Sequence, residues 1–416
     1  MAVPKLSSFA SGLSTETAFD VLAVAKRLKS QGKDVIELQI GDSPFPSATH
    51  AIKSGIDAIN NGATRYCPSP GLPSFRETVA AKYQEEFGVE IGPENIVVGP
   101  GAKVFEQFFC EAFLDPGDAV LSFSPQFPTY APNIARRGAE MIESPLRQEN
   151  EFRPDLNDIE KFVKEHPRAR AILLNTPHNP TGGVTPLEDL QEIANLIRGR
   201  NIALFSDEPY CHMVWQGKHA TPLQIEGMLD QCVAAYTFSK SYSMSGWRLG
   251  YAVSHPTVVD SISKMINTAL SCVPPLVQMA GESALKSDSV ERDETMLKFK
   301  RKVELLVEAL RGVDEVEVLM PAGTFYVFPN VSAICQRLDI KSHGLAMFLL
   351  ESADDERGVA CLGGECFGDA GQGFLRFSCA EPDERLGEAV DFLKEAITRT
   401  DRLQSYLDAN PKYRLN

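Results

Sequence analysis

The chain has 416 residues, and at about 150 residues per domain that length points to two or three domains. Hydrophobic residues make up 43% and charged residues 23%, a globular balance that excludes disordered and fibrous classes. Lys plus Arg number 41 against 56 Asp plus Glu, a net charge of -15, so general binding to nucleic acid or to an anionic membrane surface is not expected; a local basic pocket for one small anion stays open.

No apolar run approaches the roughly 20 residues that span a bilayer. The N-terminus has no signal-peptide core, and no basic winged-helix segment precedes the first elements. The nine cysteines are scattered, and none is spaced C-x-x-C. Zinc and thioredoxin-type readings therefore have no support; no metal site is expected, and the setting reads as reducing and cytoplasmic.

In chain order, residues 14–29 have helical spacing, with Phe19, Leu22, Val24 and Leu28 near one face and Ser14 or Thr15 as the cap. Val35–Ile40 reads as a strand ending at Gly41, and helices follow near 48–60, 73–87 and 102–114. Short apolar strands come next: Ala119–Phe123, Ala171–Leu174, Ile202–Phe205, Val233–Phe238 and Arg248–Val253. Helical patterns at 128–137, 156–165 and 186–199 separate most of them. This alternation predicts an α/β fold, a mostly parallel sheet covered by helices, with ligands outside the carboxyl ends of the strands. A long helix over 289–312, strands near 315–319, 324–328, 357–361 and 373–378, and helices near 342–353 and 382–398 predict a second, α+β unit. The expected division is a large domain over 46–284, a smaller discontinuous domain from 1–45 and 285–400, and a loose polar tail at 401–416.

Four motifs fall at the predicted strand ends. In Thr237-Phe238-Ser239-Lys240, followed by Arg248, a lysine among hydroxyls could hold an imine beside a phosphate; a surface lysine in a Ser-rich loop is the plainer alternative. A strand runs into Asp207-Glu208-Pro209-Tyr210, either a functional carboxylate or an ordinary turn. Asn175-Thr176-Pro177-His178-Asn179-Pro180-Thr181-Gly182 is a rigid polar loop or simple turn chemistry. Gly99-Pro100-Gly101-Ala102-Lys103 opens an apolar helix, whose free N–H groups suit a phosphate, although a lone Gly-x-Gly is weak.

Taken together, in the order phosphate cradle, Asn, Asp with Tyr, Lys, Arg, these motifs resemble the class I/II aminotransferases, which are fold-type-I pyridoxal-phosphate enzymes. The resemblance runs from about Gly41 to Arg376 and beyond, and makes 46–284 the cofactor-binding domain. It implies a transaminase that moves an amino group from an L-amino acid to a 2-oxo acid through a lysine aldimine. Lys240 would form the imine and then shuttle a proton between Cα and C4′. Asp207 would keep the pyridine nitrogen protonated, and Asn179 and Tyr210 would hydrogen-bond the ring's O3′. Gly101, Ala102, Lys103, Thr237, Ser239 and Arg248 would meet the phosphate. Tyr66 would reach the phosphate of a neighbouring subunit, making the active unit a homodimer; otherwise it is a turn tyrosine packing locally. Phe127 would stack on the ring where many relatives have Trp or Tyr, and core packing is its alternative. Arg376 would fork the substrate α-carboxylate, backed by Asn175 and Asn179, with the backbone of Gly41 against the substrate; a solvent-facing arginine is the alternative.

Two further departures are Pro209, where relatives often carry an aliphatic residue, and Cys361–Gly368, which lacks a common proline and clouds the substrate assignment. Lys103 stands where some aspartate-using relatives face a distal carboxylate, so an acidic donor with 2-oxoglutarate is the preferred expectation, with aromatic, alanine-type or broad specificity open; a solvent-facing or locally paired lysine is the alternative for Lys103. A cysteine-conjugate β-lyase or an aminocyclopropane-carboxylate-synthase-like enzyme would use the same lysine and aspartate. A non-enzymatic regulatory module is disfavoured.

Overall fold

Strands that are apolar on both faces must be covered on both faces, and the sequence has several of them. The computed structural model describes residues 3–13 and 16–415, so the helix cap expected at Ser14 or Thr15 lies outside the described residues. Its strands, in chain order, are β1 (Asp34–Glu37), β2 (Ile96–Gly99), β3 (Ala119–Ser124), β4 (Glu140–Pro145), β5 (Ala169–Asn175) and β6 (Ala203–Asp207). They continue with β7 (Cys232–Thr237), β8 (Gly250–Val253), β9 (Tyr326–Val327), β10 (Arg357–Ala360), β11 (Leu362–Gly363) and β12 (Leu375–Ser378).

Seven of these form the main sheet, in the order β2-β8-β7-β6-β5-β3-β4. All neighbours are parallel except β8, which runs against both β2 and β7. Alternate side chains go to opposite faces. Ile172 and Leu174 of β5 join one buried cluster with Ala234 and Tyr236 of β7. Ala171 and Leu173 join a second cluster with Val233 and Ala235. Each fully buried aliphatic side chain contributes about 1.5–3 kcal/mol, so both faces hold the sheet.

Register places the strand ends together. Asn175 is paired with Asp207, Asp207 with Ala235, Thr237 with Gly250, and Gly99 with Gly250. Because β8 is antiparallel, the β7–β8 connection and the loop after β2 emerge at the same sheet edge as the carboxyl ends of β5 and β6. That edge is where α/β sheets bind ligands.

A third cluster joins residues from both ends of the chain, including Val21, Ile36, Leu306, Val359 and Leu407. Here β1 pairs in parallel with β10, Asp34 opposite Arg357. The sheet β11-β12-β9 is antiparallel.

Several expectations change. Residues 315–319 form no strand; Glu317 makes one isolated bridge to Asn330. Within the polar stretch expected as a loose tail, residues 401–415 are ordered against the rest of the chain. The helix Thr400–Ala409 buries Leu403, Tyr406 and Leu407, which outweighs its polar composition. Strands β2 and β4 and the helices Pro256–Leu270 and Pro275–Ser287 are additions to the expected elements. Among the described residues, no helix is long and apolar enough to cross a membrane, and no group of His, Cys, Asp and Glu is placed to hold a metal ion. All nine cysteines are free thiols.

Candidate active site

A cleft of about 430 Å³ opens at the shared strand edge. Gly41, Ala102, Lys103, Phe127, Asn175, Asn179, Asp207, Tyr210, Thr237, Ser239, Lys240, Arg248 and Arg376, all singled out by the sequence, line it. Gly101 lies immediately beside it. Tyr66 does not line it; its side chain is 88% exposed.

Asp207 ends β6 and is buried. Its Oδ2 accepts from the Tyr130 hydroxyl at 2.7 Å, while Oδ1 is buried without a hydrogen-bond partner. Burial pushes its carboxyl up to about 7, against the pull of the Tyr130 hydrogen bond. A buried acceptor with no donor is costly unless a ligand N–H completes it. Beneath it, burial and the Asp207 charge push Glu106 well above the usual carboxylate range, and Thr129 donates to that carboxyl.

Lys240 lies three residues past β7 and donates to the Gly41 carbonyl at 2.5 Å. Its Nζ stands 5.8 Å from the Tyr210 ring centre and 5.7 Å from that of Phe325. Gly41 has to be glycine: a Cβ there would fall 1.7 Å from the Tyr326 hydroxyl oxygen. Tyr326 and Tyr210 bring their hydroxyls within 3.2 Å of each other.

Arg376 is on β12, a strand of the C-terminal half, yet its guanidinium reaches this edge. It is only 4% exposed, so it does not face solvent. One Nη donates to Asn179 Oδ1 at 3.0 Å and the other to the Gln39 carbonyl at 2.6 Å; Nε has no partner. The rings of Tyr326 and Phe367 lie 4.4 and 4.8 Å from its central carbon. Among the described residues it has no carboxylate partner. Asn175 braces the neighbouring loop, donating to the Asp207 carbonyl and accepting from the Asn179 N–H, both at 2.8 Å.

The residues expected to cradle an anion face the same space. Gly101 has φ +93°, and a Cβ there would sit 2.5 Å from an Arg248 Nη. Arg248 is held open by the carbonyls of Ser245 and Pro100, each at 2.8 Å. Thr237 and Ser239 hydroxyls meet at 2.8 Å. The helix Lys103–Phe113 begins at this cradle. Lys103 pairs with Glu16, and its Nζ lies 5.0 Å from the centre of the Phe127 ring.

The family described as aminotransferase class I and II matches residues 33–393. The chain belongs to the class I and II aminotransferases. This aminotransferase is 36% identical over 398 residues to the Aquifex aeolicus protein named "Probable aspartate/prephenate aminotransferase", covering 94% of this chain and 98% of that one. It is 32% identical to an LL-diaminopimelate aminotransferase of Dehalococcoides mccartyi, over 87% of this chain and 91% of that one. Among solved structures, the aspartate aminotransferase of Thermus thermophilus with maleate superposes with a TM-score of 0.88 at 29% identity, covering 95% of this chain and 100% of that one. Membership sets transamination above the lyase and synthase alternatives and fixes the fold as type I.

The site of the aminotransferase also contains residues that the motifs do not single out. Tyr130 lies three positions after Phe127 and opens the helix Tyr130–Arg136; its nearness to Phe127 in sequence is the available signal for its reach to Asp207. Glu106 is one helical turn after Lys103. Tyr326 and Glu16 have no local signature, because each reaches the cleft through tertiary packing.

The raised Asp207 pKa has a measurable sign. A carboxyl whose folded pKa lies above its unfolded value stabilises at low pH and loses that contribution as pH rises through the folded pKa. The apoprotein is therefore expected to lose stability between about pH 4 and about pH 7 on account of Asp207. Asp207→Asn removes this loss. In urea unfolding of the apoproteins, the variant should gain on the wild type from pH 5 to pH 8; a constant difference would contradict the raised pKa.

Proposed function

We propose that this aminotransferase holds pyridoxal phosphate at the strand edge, takes an acidic L-amino acid as donor and a 2-oxo acid as acceptor, and works as a cytoplasmic homodimer. The observation that carries the reading is the cleft's pairing of a buried arginine that has no carboxylate partner among the described residues, Arg376, with a lysine and an acid, Lys240 and Asp207, at adjacent strand ends.

The residues present fit the cofactor. Asp207, through its free Oδ1, would hold the ring nitrogen, and Tyr210 and Asn179 would hold the ring hydroxyl side. Phe127 would cover one ring face. Gly101, Ala102, Lys103, Thr237, Ser239 and Arg248 would hold the phosphate by backbone N–H groups, hydroxyls and guanidinium. Bound there, pyridoxal phosphate supplies a protonated ring that takes up electron density from the substrate's Cα.

The chain's own residues then do the rest. Arg376 binds the α-carboxylate and, with Asn179 and the Gly41 backbone, orients the amino acid. Lys240, on a flexible stem, would take the proton from the substrate's Cα and hand it to C4′. The buried setting of Tyr210, Asn179 and Tyr326 excludes water. The large lobe is proposed to span 46–284 and the smaller to combine 1–45 with 285–400, consistent with the separate buried clusters.

The acidic donor rests on Lys103, a cation at the cleft beyond Phe127. The homodimer rests on Tyr66 and on Ile52, Ile56 and Ile59, exposed apolar side chains on the helix that precedes it in the chain. Nine free thiols support the reducing cytoplasm.

The test is a panel of amino acids against 2-oxoglutarate, oxaloacetate and pyruvate, with sedimentation of the holoenzyme. Aspartate or glutamate should give the highest kcat/KM, matched by a new amino acid, and the protein should sediment at twice the chain mass. Ammonia and pyruvate formed without an acceptor would instead mean elimination. A monomer with full activity would end the proposal for Tyr66.

A further inference from the structure

Lys103, the cation expected to read an acidic side chain, already has a carboxylate in the structure, and it comes from the protein itself. Glu16 occupies the N-cap of the helix Thr17–Ser30 but makes no capping hydrogen bond to it. N-cap side chains ordinarily accept from the helix's free N–H groups. Glu16 instead leans across the cleft to the Lys103 ammonium. Ala18 and Phe19, in the first turn of the same helix, line the cleft with it. The pair is not remote from the chemistry: the Lys103 charge lowers the pKa of the buried Glu106, and the Glu16 charge raises it.

We propose that Glu16 is a built-in surrogate for the substrate's side-chain carboxylate, occupying Lys103 until a dicarboxylate displaces it. This deepens the acidic-donor reading and rests on it. An amino acid with an uncharged side chain can bind with the Glu16–Lys103 pair intact, so neither charge is left unpaired in the cleft. An acidic amino acid exchanges one carboxylate for another at the same ammonium, and Glu16 turns out to water. Glu16 thus weakens acidic ligands relative to neutral ones and widens the range of side chains that the one pocket accepts.

The test is a spectral titration of the holoenzyme, following the bound cofactor's visible band, with two non-reacting ligands: maleate, a dicarboxylate, and 3-phenylpropionate, a monocarboxylate. Glu16→Gln should tighten maleate about fivefold, the scale of a partly exposed ion pair, and leave 3-phenylpropionate unchanged. Glu16→Ala should do the same, guarding against a defect peculiar to one variant. Lys103→Gln should weaken maleate, and adding Glu16→Gln to it should then change nothing. If Glu16→Gln leaves maleate unchanged or weakens it while Lys103→Gln still weakens it, the surrogate role fails and the acidic-donor reading survives. Equal tightening of both ligands would also overturn it, as a general opening of the cleft. If Lys103→Gln leaves maleate unaffected, the acidic-donor reading itself falls.

Discussion

Lys240→Ala protein should lose about 10⁴-fold in turnover, the upper end of what positioned proton transfer contributes. The substitution removes the amine held at 2.5 Å from the Gly41 carbonyl, and no other lysine lining the cleft can replace it. Lys103 is engaged by Glu16 at the cleft's other end. The variant should still retain the cofactor, because Asp207, Thr237, Ser239 and Arg248 remain. Borohydride treatment followed by peptide mass analysis should fix the cofactor to the Lys240 peptide in the wild type and to no peptide in the variant. Many turnovers by the variant, measured as keto acid released per subunit, would remove Lys240 from its assigned role.

Arg376→Ala should lower kcat/KM by about 10²–10³-fold, as removing one partner of a buried charge pair costs a few kcal/mol. Arg376→Lys should recover little. The arginine uses one arm on Asn179 and another on the Gln39 carbonyl, lines the cleft, and still has a donor without a partner at Nε. A lysine has a single ammonium and cannot hold both braces and the substrate. Maleate and 3-phenylpropionate should weaken alike, since every amino acid has an α-carboxylate. A loss confined to maleate would instead place Arg376 at the side-chain end of the substrate.

What could be read in the sequence follows burial. β3, β5, β6 and β7 are continuous apolar runs because the sheet is covered on both faces, so composition alone marks them. β4 is an edge strand with the sequence Glu-Met-Ile-Glu-Ser-Pro; mixed polarity hides it. The converse misleads at 315–319, where Glu-Val-Glu-Val-Leu alternates like a strand but finds only one bridge partner. The helices Pro256–Leu270 and Pro275–Ser287 each open on proline in the first turn, a start signal that attention to strands passes over. In the site, Lys240, Asp207, Asn179 and Arg248 stand in local motifs because consecutive residues shape each turn. Tyr326 and Glu16 come from segments that are distant in sequence, and only packing shows where they point. The helix Thr400–Ala409 does carry a signal, with Leu403, Tyr406 and Leu407 at i, i+3 and i+4, but one short apolar stripe in a polar stretch is easily taken for a tail.

The parallel pairing of β1 with β10 has a consequence for biosynthesis. During translation, Gln39 and Gly41 leave the ribosome among the first residues, yet the strand that anchors them and the arginine they serve are made near the end. The central sheet, whose strands all lie between Ile96 and Val253, can assemble on the nascent chain well before then. A polypeptide synthesised through Val253 thus has the lysine and the acid but no carboxylate grip, and the earliest segment to emerge is among the last to find its place.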